Sequence, residues 1–562
     1  MSERQAPDLE DDYYLVNFHT ISGFVVDTYH DLLSSEEHQW VDMIRTASKP
    51  AQRLYIRLLT RRGSTFRRSR LRYEEIEDIS AAASELAECG LAGLRAPGDW
   101  ATLLGCFTKP ELLNLLALSR LRNMCRVDLT AHITSAEPAL QSQYREVLQA
   151  ADHWITLDGH AHWMLMQLCF FGNLYQDSSE LVLRQLGALT YEDYQLDPSA
   201  RAFTSREHIE AHWRYFECAT LLDCADQRDP KALLSVADSL PQAGVHDAIL
   251  RRRTDRIRNR VARQLERLSC LEEAMCLYKS SIHPPARERC VRILLASERW
   301  TEALLLTGDM IDSSYNETEK LVGLKLQARC EKALGRVPIR NRVFKPATKK
   351  IVLRNDGSRV EELARRFYAG QGPCFHTENT LVNGVLGLFI WDIIFHPLPG
   401  VFFNPFQMAP ADFHEPEFCV NRAGLLKTRF LELDDRIKLG ARVHEAYELH
   451  FGKLNPLVRW SHLTPDMLAL AVDRIPMKHW HALFTRILAD TRDNTAGFPD
   501  LVLFPENGGY EFIEIKGPGD ALQSNQRRWM QHFSQNGIAC RLVHVRYRTS
   551  ELLSDTDDKE AP

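Results

Sequence analysis

The stretch Gly497-Phe-Pro-Asp-Leu-Val-Leu-Phe-Pro-Glu-Asn-Gly-Gly-Tyr-Glu-Phe-Ile-Glu-Ile-Lys-Gly-Pro518 consists of two short apolar runs joined by a glycine-rich turn. Such runs around such a turn predict a β-hairpin. Asp500 opens the first strand. Glu514 and Lys516 lie two residues apart on the second strand, so their side chains share one face. Pairing about the turn places Asp500 directly or diagonally across from Glu514.

Two carboxylates at this separation can share a divalent cation, and a neighbouring lysine completes a site suited to cutting phosphodiester bonds. The order Asp, spacer, Glu-x-Lys is the PD-(D/E)xK nuclease signature. Exposed surface charges are the alternative interpretation. The flanking residues disfavour it, because Gly497-Phe-Pro499 predicts a rigid turn before the aspartate and Gly517-Pro-Gly-Asp520 predicts a stop after the lysine.

Each residue type has a chemical role in this hypothesis. Mg²⁺ or Mn²⁺ prefers oxygen ligands, which Asp500, Glu514 and the backbone carbonyl of Ile515 would supply. Lys516 would orient the attacking water or offset charge on the phosphorane. A helix is predicted to open at Gln523-Ser-Asn-Gln526, with Gln526 in its first turns. From there Gln526 would face the strand end and orient water or a phosphate oxygen.

A further acid lies upstream, in His376-Thr-Glu378. An apolar helix is predicted from Asn379 to Phe395, with Thr377 as its N-cap. Glu378 at its start has two interpretations, a favourable interaction with the helix dipole or a third acidic metal ligand. The histidines of this region are interpreted as ordinary polar or core residues: His376, His396 and His414.

The composition is that of an ordinary globular protein, with 44% hydrophobic and 26% charged residues in 562. This length predicts about three or four domains. Neither a membrane-spanning run nor a signal peptide is expected. The 13 cysteines form no C-x-x-C pair, which argues against structural zinc and against a disulfide framework. No G-x-S-x-G, Walker or H-E-x-x-H motif indicates another chemistry.

The net charge is −6, yet basic residues are concentrated in three stretches. Arg57–Arg72 contains seven arginines and no acid, Arg251–Arg267 contains eight arginines against two acids, and Gly335–Arg354 contains seven basic residues and no acid. Solvated, partly paired helices would explain any one stretch. Three of them beside a nuclease motif favour a DNA-binding surface, and from the first stretch we expect Arg67, Arg68 and Arg70 to contact DNA.

We expect largely α-helical N-terminal and middle regions followed by an α/β nuclease domain. Ser34 or Ser35 is predicted to cap a helix, and Thr108 with Glu111 to form a capping box. The predicted domains are an N-terminal helical domain at 1–70, a small DNA-binding module at 71–165, helical repeats at 166–345 and the nuclease domain at 346–562, whose acidic tail is expected to be disordered.

Several of these segments resemble one known family. The motifs His376-Thr-Glu-Asn-Thr380, Gly387–Phe395, Gly497-Phe-Pro-Asp500 and Glu514–Asp520 look like the VRR-NUC domain of the Fanconi-associated nucleases, and Leu54–Arg62 and Phe66–Tyr73 look like that family's entry segment. The resemblance implies a SAP-like module, TPR-like repeats and a PD-(D/E)xK nuclease fold. It implies a structure-specific DNase that depends on Mg²⁺ or Mn²⁺, cleaves 5′ flaps, acts as a 5′→3′ exonuclease and serves in interstrand crosslink repair.

The resemblance also assigns residues by motif. Glu378, Asp500, Glu514 and the Ile515 carbonyl would be metal ligands, and Lys516 would be catalytic. For a basic pocket that takes the 5′ phosphate, Arg492 is the best candidate, with Arg422 or Lys427 as further ones. Asn525 stands where a basic residue would be natural.

Without C-x-x-C the chain resembles the short microbial form, which lacks the ubiquitin-binding zinc finger of animal members. We therefore expect a cytoplasmic, nucleoid-associated protein, or a nuclear one if the source is eukaryotic. The expected partner is branched or flapped DNA with a 5′ phosphate, held by one chain. Two alternatives stay open: a junction-resolving or restriction-like nuclease, and a non-catalytic helical scaffold.

Overall fold

The computed structural model describes residues 12–176, 181–182, 189–194, 196, 198–244, 247–337 and 344–548. The chain forms two compact units, one of residues 1–189 with 197–213 and the other of residues 190–196 with 214–562. The acidic tail at 549–562 lies outside the described residues. Within the described ranges, no helix combines the length and apolar character needed to cross a bilayer.

The first unit consists of helices around one small antiparallel sheet with the strand order β1-β3-β2. These strands are β1 (Thr65–Arg67), β2 (Ala92–Gly93) and β3 (Trp154–Leu157). Its helices are Tyr13–Tyr29, Ser35–Thr46, Lys49–Leu59, Ile79–Glu88, Trp100–Gly105, Lys109–Leu115, Arg126–Thr134, Pro138–Ala150 and His160–Phe171. Both predicted caps are confirmed, because Ser34 caps the second helix and Thr108 forms a capping box with Glu111.

The middle of the chain is an array of helices. They are Arg206–Cys224, Pro230–Asp238, Ala248–Arg267, Leu271–Lys279, Ala286–Ala296, Trp300–Asp312 and Glu317–Ala333. The last five pack one on the next. Small residues such as Ala262, Ala274 and Ala303 are fully buried, which lets neighbouring helices approach closely. The expectation of a largely helical N-terminal and middle region is therefore confirmed.

The last part of the chain contains a mixed sheet of five described strands in the order β4-β8-β7-β6-β5. They are β4 (Thr348–Leu353), β5 (Cys374–His376), β6 (Leu501–Leu503), β7 (Glu511–Lys516) and β8 (Cys540–Tyr547). β4, β8 and β7 are parallel, whereas β7, β6 and β5 are antiparallel. The predicted hairpin is the pair β6–β7, in which Leu501 lies opposite Ile513.

The helices around this sheet are Val360–Tyr368, Leu381–Phe389, Trp391–Ile394, Glu417–Asn421, Ala423–Phe430, Arg436–His450, Pro465–Arg474, Met477–Ala489 and Ser524–Asn536. Those from Leu381–Phe389 to Met477–Ala489 form an insertion between β5 and β6. Short 3₁₀ turns occur at Arg68–Arg70, Ser119–Leu121, Ala369–Gln371, Leu431–Asp434 and Trp460–His462.

The two faces of the sheet belong to two separate cores. Val502 and Phe512 point into the larger core, which is filled by the helices inserted between β5 and β6. Leu501 and Ile513 point into a smaller core with the helix Val360–Tyr368. Because side chains alternate along a strand, Asp500 and Glu514 lie on the face of the larger core, at the end of its apolar residues.

The predicted helix from Asn379 to Phe395 is wrong at its start. The helix begins at Leu381, and a break at Ile390 separates it from the short helix Trp391–Ile394. Thr377 does not cap it, because its N–H donates to the Asp500 carbonyl oxygen and ties this residue to the hairpin. Asn379 lies in the left-handed region, with φ of 54°, so the helix cannot start before it.

Candidate active site

The hairpin places two carboxylates side by side. The register of β6 and β7 puts Asp500 opposite Glu514. The Asp500 Oδ2 atom accepts a hydrogen bond of 2.7 Å from the N–H of Ile515. The Asp500 side chain is therefore fixed to the second strand, and both carboxylates are buried, Glu514 completely.

The charges of this pair are only partly balanced. Lys516 Nζ lies 2.8 Å from Glu514 Oε1, whereas Glu514 Oε2 has no hydrogen-bond partner among the described residues. Burial, and then the charge of Asp500, raise the pKa of Glu514 well above its usual range. Burial, and then the charge of Glu378, raise the pKa of Asp500. The site thus holds buried carboxylates whose negative charge is only partly balanced by Lys516.

Glu378 is held beside the hairpin by its neighbours in the chain. The side-chain oxygen of Asn379 accepts hydrogen bonds from the N–H groups of Gly497 at 2.8 Å and Phe498 at 3.0 Å. The N–H of Thr377 donates to the Asp500 carbonyl oxygen at 2.8 Å. These bonds on both sides of Glu378 connect its segment to the turn that precedes Asp500.

His376 also lies at the site, whereas it was expected, like His396 and His414, to be an ordinary polar or core histidine. It ends β5, where it pairs with Leu501, the residue after Asp500. Ligand atoms of His376, Glu378 and Asp500 all lie within 4.8 Å of one another. The spacing His-x-Glu is a local signal that relates His376 to Glu378, but it does not reveal the pairing of β5 with β6 that brings His376 to Asp500.

Gln526 lies in the first turn of the helix Ser524–Asn536, as predicted. Its side-chain oxygen accepts a hydrogen bond from the N–H of Gln523 at 3.0 Å and so completes a capping box. This helix abuts the turn before Asp500, because a Cβ atom built on Gly497 would lie 2.9 Å from Asn525. The amide nitrogen of Gln526 remains as the group that could act on water or phosphate.

The residues fit a divalent cation. Three carboxylates, from Glu378, Asp500 and Glu514, face one ammonium group from Lys516, which leaves two excess negative charges when all are ionised. Buried charge of this kind requires compensation. A divalent metal supplies two positive charges, and carboxylate oxygens are ligands that Mg²⁺ and Mn²⁺ prefer. An acidic nuclease site with a bound divalent metal is the arrangement that this chemistry favours.

The predicted DNA contact of Arg422 is wrong, because the structure buries its side chain, whereas the contact of Arg67 stays a prediction for a side chain already paired with two acids. The Arg422 guanidinium is fully buried, 2.8 Å from Asp412, and also donates to the Ile393 carbonyl oxygen. The Arg67 side chain, 9% exposed, forms ion pairs with Glu111 and Asp152. The acids that Arg67 neutralises are distant in sequence, so local charge counting does not detect them.

The other predicted basic residues lie nearer to the surface. Arg70 is exposed and shares Glu111 with Arg67, Arg68 is half-buried against Ser80, and Lys427 is exposed. Arg492 is half-exposed and lies 3.0 Å from Glu415.

Sequence reasoning missed the partners of Arg492. Arg252 and Arg256, from the second basic stretch, lie 3.6 and 3.7 Å from the same Glu415 carboxylate. Three guanidinium groups therefore surround one acid, and a second acid, Glu417, lies 3.3 Å from Arg252. The arginines outnumber the carboxylates of this cluster, so it keeps a positive charge.

Comparison with known proteins gives consistent matches. A family model described as "FAN1, HTH domain" matches residues 12–93, and one described as "VRR-NUC domain" matches residues 437–547. The Fanconi-associated nuclease 1 homolog of Pseudomonas aeruginosa is 31% identical over 546 residues, 96% of each chain. The homolog of Arabidopsis thaliana is 25% identical over 95% of this chain and 67% of its own length.

Solved structures match over nearly the whole chain. A crystal structure of paFAN1 bound to 2-nucleotide 5′-flap DNA with a gap has a TM-score of 0.80 and 30% identity, and covers 97% of this chain and 100% of its own. A second paFAN1 complex, with a 1-nucleotide 5′ flap, has a TM-score of 0.77. With a relative above 30% identity matched end to end and a VRR-NUC domain around the hairpin, the chain belongs to the Fanconi-associated nuclease family.

Proposed function

We propose that this chain hydrolyses phosphodiester bonds in branched DNA carrying a 5′ flap, with Mg²⁺ or Mn²⁺ as its cofactor. The observation that carries the proposal is the meeting of Glu378, Asp500, Glu514 and Lys516 at one end of the β6–β7 hairpin. The excess of negative charge there explains why a cation would bind, and the lysine gives the site a group that can act on a phosphate.

The residues of the site have separate tasks in this reaction. Asp500, Glu514, Glu378 and the carbonyl oxygen of Ile515 would hold the cation, which supplies positive charge beside the scissile phosphate. Asp500 is kept in place by the N–H of Ile515.

Lys516 is the residue that we assign to catalysis. Its ammonium group is nearly buried against Glu514. It would orient the attacking water or offset charge that develops on phosphate oxygens. The amide of Gln526 would orient water or a phosphate oxygen from the helix start.

The preference for a 5′ flap is supported by the relatives rather than by the site alone. The paFAN1 crystal structures contain 5′-flap DNA with a gap. A 5′→3′ exonuclease activity and a role in interstrand crosslink repair complete the proposal, by resemblance to the family. A protein with this activity would act at the nucleoid of a microbial cell.

Arg492 and Arg256 are our candidates for binding the 5′ phosphate of the flap. Both are half-exposed, and both lie against Glu415 in a cluster with excess positive charge. Lys427 and Arg70, which are exposed, are further candidates for contacts with the DNA backbone. Such contacts position the DNA without selecting its sequence.

Cleavage of labelled DNA tests the proposal. The substrates are a 5′ flap, a 3′ flap, a four-way junction and a single strand, each with Mg²⁺, Mn²⁺ or EDTA. The expected result is metal-dependent cutting concentrated on the 5′ flap and lost in Asp500→Ala. Glu506→Ala is the matched control, because Glu506 is an exposed acid in the turn of the same hairpin.

Each other outcome has a definite meaning. A fully active Asp500→Ala protein contradicts the assigned site. Paired symmetric nicks in the four-way junction, made by a dimer, indicate a junction-resolving or restriction-like nuclease. Tight DNA binding without any cutting indicates a non-catalytic helical scaffold.

A further inference from the structure

His376 is the one nitrogen donor in the cluster of ligand atoms at the hairpin. Its ligand atom, a carboxylate oxygen of Glu378 and one of Asp500 lie within 4.8 Å of one another. One cation at the centre of such a cluster would reach all three side chains after small rotations. His376 and Glu378 are exposed, so their side chains are free to make these adjustments.

A second observation indicates that a cation belongs here. The Glu514 side chain is completely buried, and its Oε2 atom has no hydrogen-bond partner among the described residues. A buried carboxylate oxygen without a partner costs free energy that a bound cation would recover. Asp500 connects the two halves, because it lies across from Glu514 and within the cluster of His376 and Glu378.

We propose that His376 contributes an imidazole nitrogen to the cation held by Glu378 and Asp500, and that this nitrogen makes the site prefer Mn²⁺ to Mg²⁺. The inference rests on the proposed function and specifies its metal. Mg²⁺ takes oxygen ligands and keeps its waters, so it gains little from an imidazole. Both ions prefer oxygen ligands, but Mn²⁺, as a transition-metal ion, accepts an added imidazole nitrogen more readily than Mg²⁺ does.

The backbone around His376 supports this role. β5 is the edge strand of the sheet, and it ends at His376, so no further strand covers the ring on the outer side of the described sheet. The next residue, Thr377, is buried and bonded to the Asp500 carbonyl oxygen. The main chain therefore fixes the Cα atoms of His376 and Glu378, and the imidazole stays beside the aspartate.

The test uses the full chain loaded with Mn²⁺ alone, without DNA. Pulsed EPR detects the coupling of a nitrogen nucleus to bound Mn²⁺. We expect an imidazole coupling in the wild type that disappears in His376→Gln. Calorimetry should show Mn²⁺ affinity about tenfold lower in His376→Gln, at the low end of what losing a metal-site partner costs. Mg²⁺ affinity should change less than about threefold, because Mg²⁺ gains little from nitrogen.

Two matched variants identify the source of the coupling. His544 pairs in register with Lys516, so its side chain lies on the same sheet face and it is a competing histidine. His396 is exposed and outside every metal-ligand cluster found among the described residues. His544→Gln and His396→Gln should both retain the coupling. Its loss in either of them, with retention in His376→Gln, would overturn the proposal.

The failure of this inference can be told apart from the failure of the proposed function. Mn²⁺ that binds the wild type without any nitrogen coupling overturns the role of His376, while Asp500 and Glu514 stay as ligands. Unchanged Mn²⁺ binding in Asp500→Ala contradicts the whole site. The absence of a coupling in the wild type overturns the inference whatever the folding of any variant, and if His376→Gln does not fold, the two control variants still show whether another histidine is the source.

Discussion

At the scale of single residues, the defining feature is a pair of carboxylates that the fold buries without sufficient positive charge. Asp500 and Glu514 face each other on adjacent strands, with one lysine close to Glu514. The fold tolerates this arrangement because the pKa values of both groups rise and a proton can take the place of the cation. Without metal, the stability of the protein should therefore depend on pH in a defined direction.

Replacing Glu514 with Gln should stabilise the metal-free protein at pH 8. Burial raises the pKa of Glu514 to about 8. Between the unfolded pKa, about 4.3, and this value, the folded state holds a proton that the unfolded state has lost. The wild type therefore loses stability as pH rises through this window, whereas the variant loses less, because only Asp500 still has a raised pKa. We expect a difference of about 4 to 5 kcal/mol at pH 8 and little difference near pH 4.

Urea unfolding in EDTA at both pH values measures this difference. Glu506→Gln, which removes an exposed acid from the same hairpin and keeps Glu514, should match the stability of the wild type at both pH values. Mn²⁺ should then raise the melting temperature of the wild type but not that of Glu514→Gln. A wild-type protein that is more stable than the variant at pH 8 in EDTA would contradict the charge imbalance described for the site.

Lys516 should be needed for the chemical step rather than for binding the cation. Replacing Lys516 with Met removes the ammonium group and keeps an apolar side chain of similar length in its buried position. We expect cleavage to fall by a factor of about 10² to 10³, as when a charge-stabilising donor is removed. Single-turnover kinetics measures the loss, and calorimetry should show Mn²⁺ bound at least as tightly as in the wild type. Lost Mn²⁺ binding would instead make Lys516 part of the metal site.

At the scale of elements, the turn before Asp500 connects three segments. Asn379 binds its backbone N–H groups, and Asn525 of the last helix packs on Gly497. Gly497 has φ of 95°, in the left-handed region, where a side chain would be strained. The distance between the upstream acid Glu378 and the hairpin is therefore set by this turn.

Replacing Gly497 with Ala should destabilise the nuclease fold and displace the site. A Cβ atom would lie 3.0 Å from the backbone of Asn525, and the left-handed backbone adds strain. We expect a loss of about 2 to 4 kcal/mol in unfolding free energy. Gly509→Ala is the matched control, because Gly509 also has positive φ but nothing within 4 Å. Equal losses in thermal unfolding of the two variants would show that packing on Asn525 contributes nothing.

The sequence was sufficient for elements whose signals are local. The hairpin followed from its glycine-rich turn, and the capping box of Thr108 and Glu111 followed from their spacing. It was insufficient where a residue elsewhere in the chain determines where an element begins or whether a side chain is buried. The Asn379 side chain binds the turn before Asp500, so the helix starts later than its apolar pattern suggests. Arg422 and Arg67 looked like surface charge because Asp412 and Asp152, which bury them, are recognisable only in the folded chain.

The same limit applies to the candidate site. Asp500, Glu514 and Lys516 could be predicted because one hairpin carries them all. His376 could not, because its closeness to Asp500 depends on the pairing of β5 with β6, whose strands are more than a hundred residues apart in sequence. The boundaries between the four predicted domains stay predictions, since the compact units divide the chain only in two.

At the scale of the whole molecule, the basic stretches have two different uses. Part of their charge balances internal acids, as in the pair of Arg57 with Glu75. Part of it remains in excess, as around Glu415, where arginines from the helical array and from the loop before the hairpin meet. The protein can therefore carry a net charge of −6 and still present positive charge to DNA.

Replacing Arg492 with Ala should weaken the recognition of a 5′ phosphate. The wild type should bind a phosphorylated flap more tightly than the same flap with a 5′ hydroxyl. The variant should lose about 1 to 2 kcal/mol of this difference, the usual value of a charge-assisted hydrogen bond. Fluorescence anisotropy in EDTA measures both affinities. Arg474→Ala, which removes an arginine paired with Asp473, is the control. An unchanged phosphate preference in Arg492→Ala would contradict this assignment.

The strand order of the sheet has a consequence for protein synthesis. β8 follows every acidic residue of the site in the chain, yet it lies between β4 and β7 and supplies hydrogen-bond partners to both. Until the ribosome has released this strand, β7 lacks its parallel neighbour, and Glu514 and Lys516 have no completed sheet to hold them. A nascent or prematurely terminated chain therefore carries every acidic residue of the site but should not cut DNA. The order of the strands therefore delays activity until β8 has been synthesised and has paired with β7.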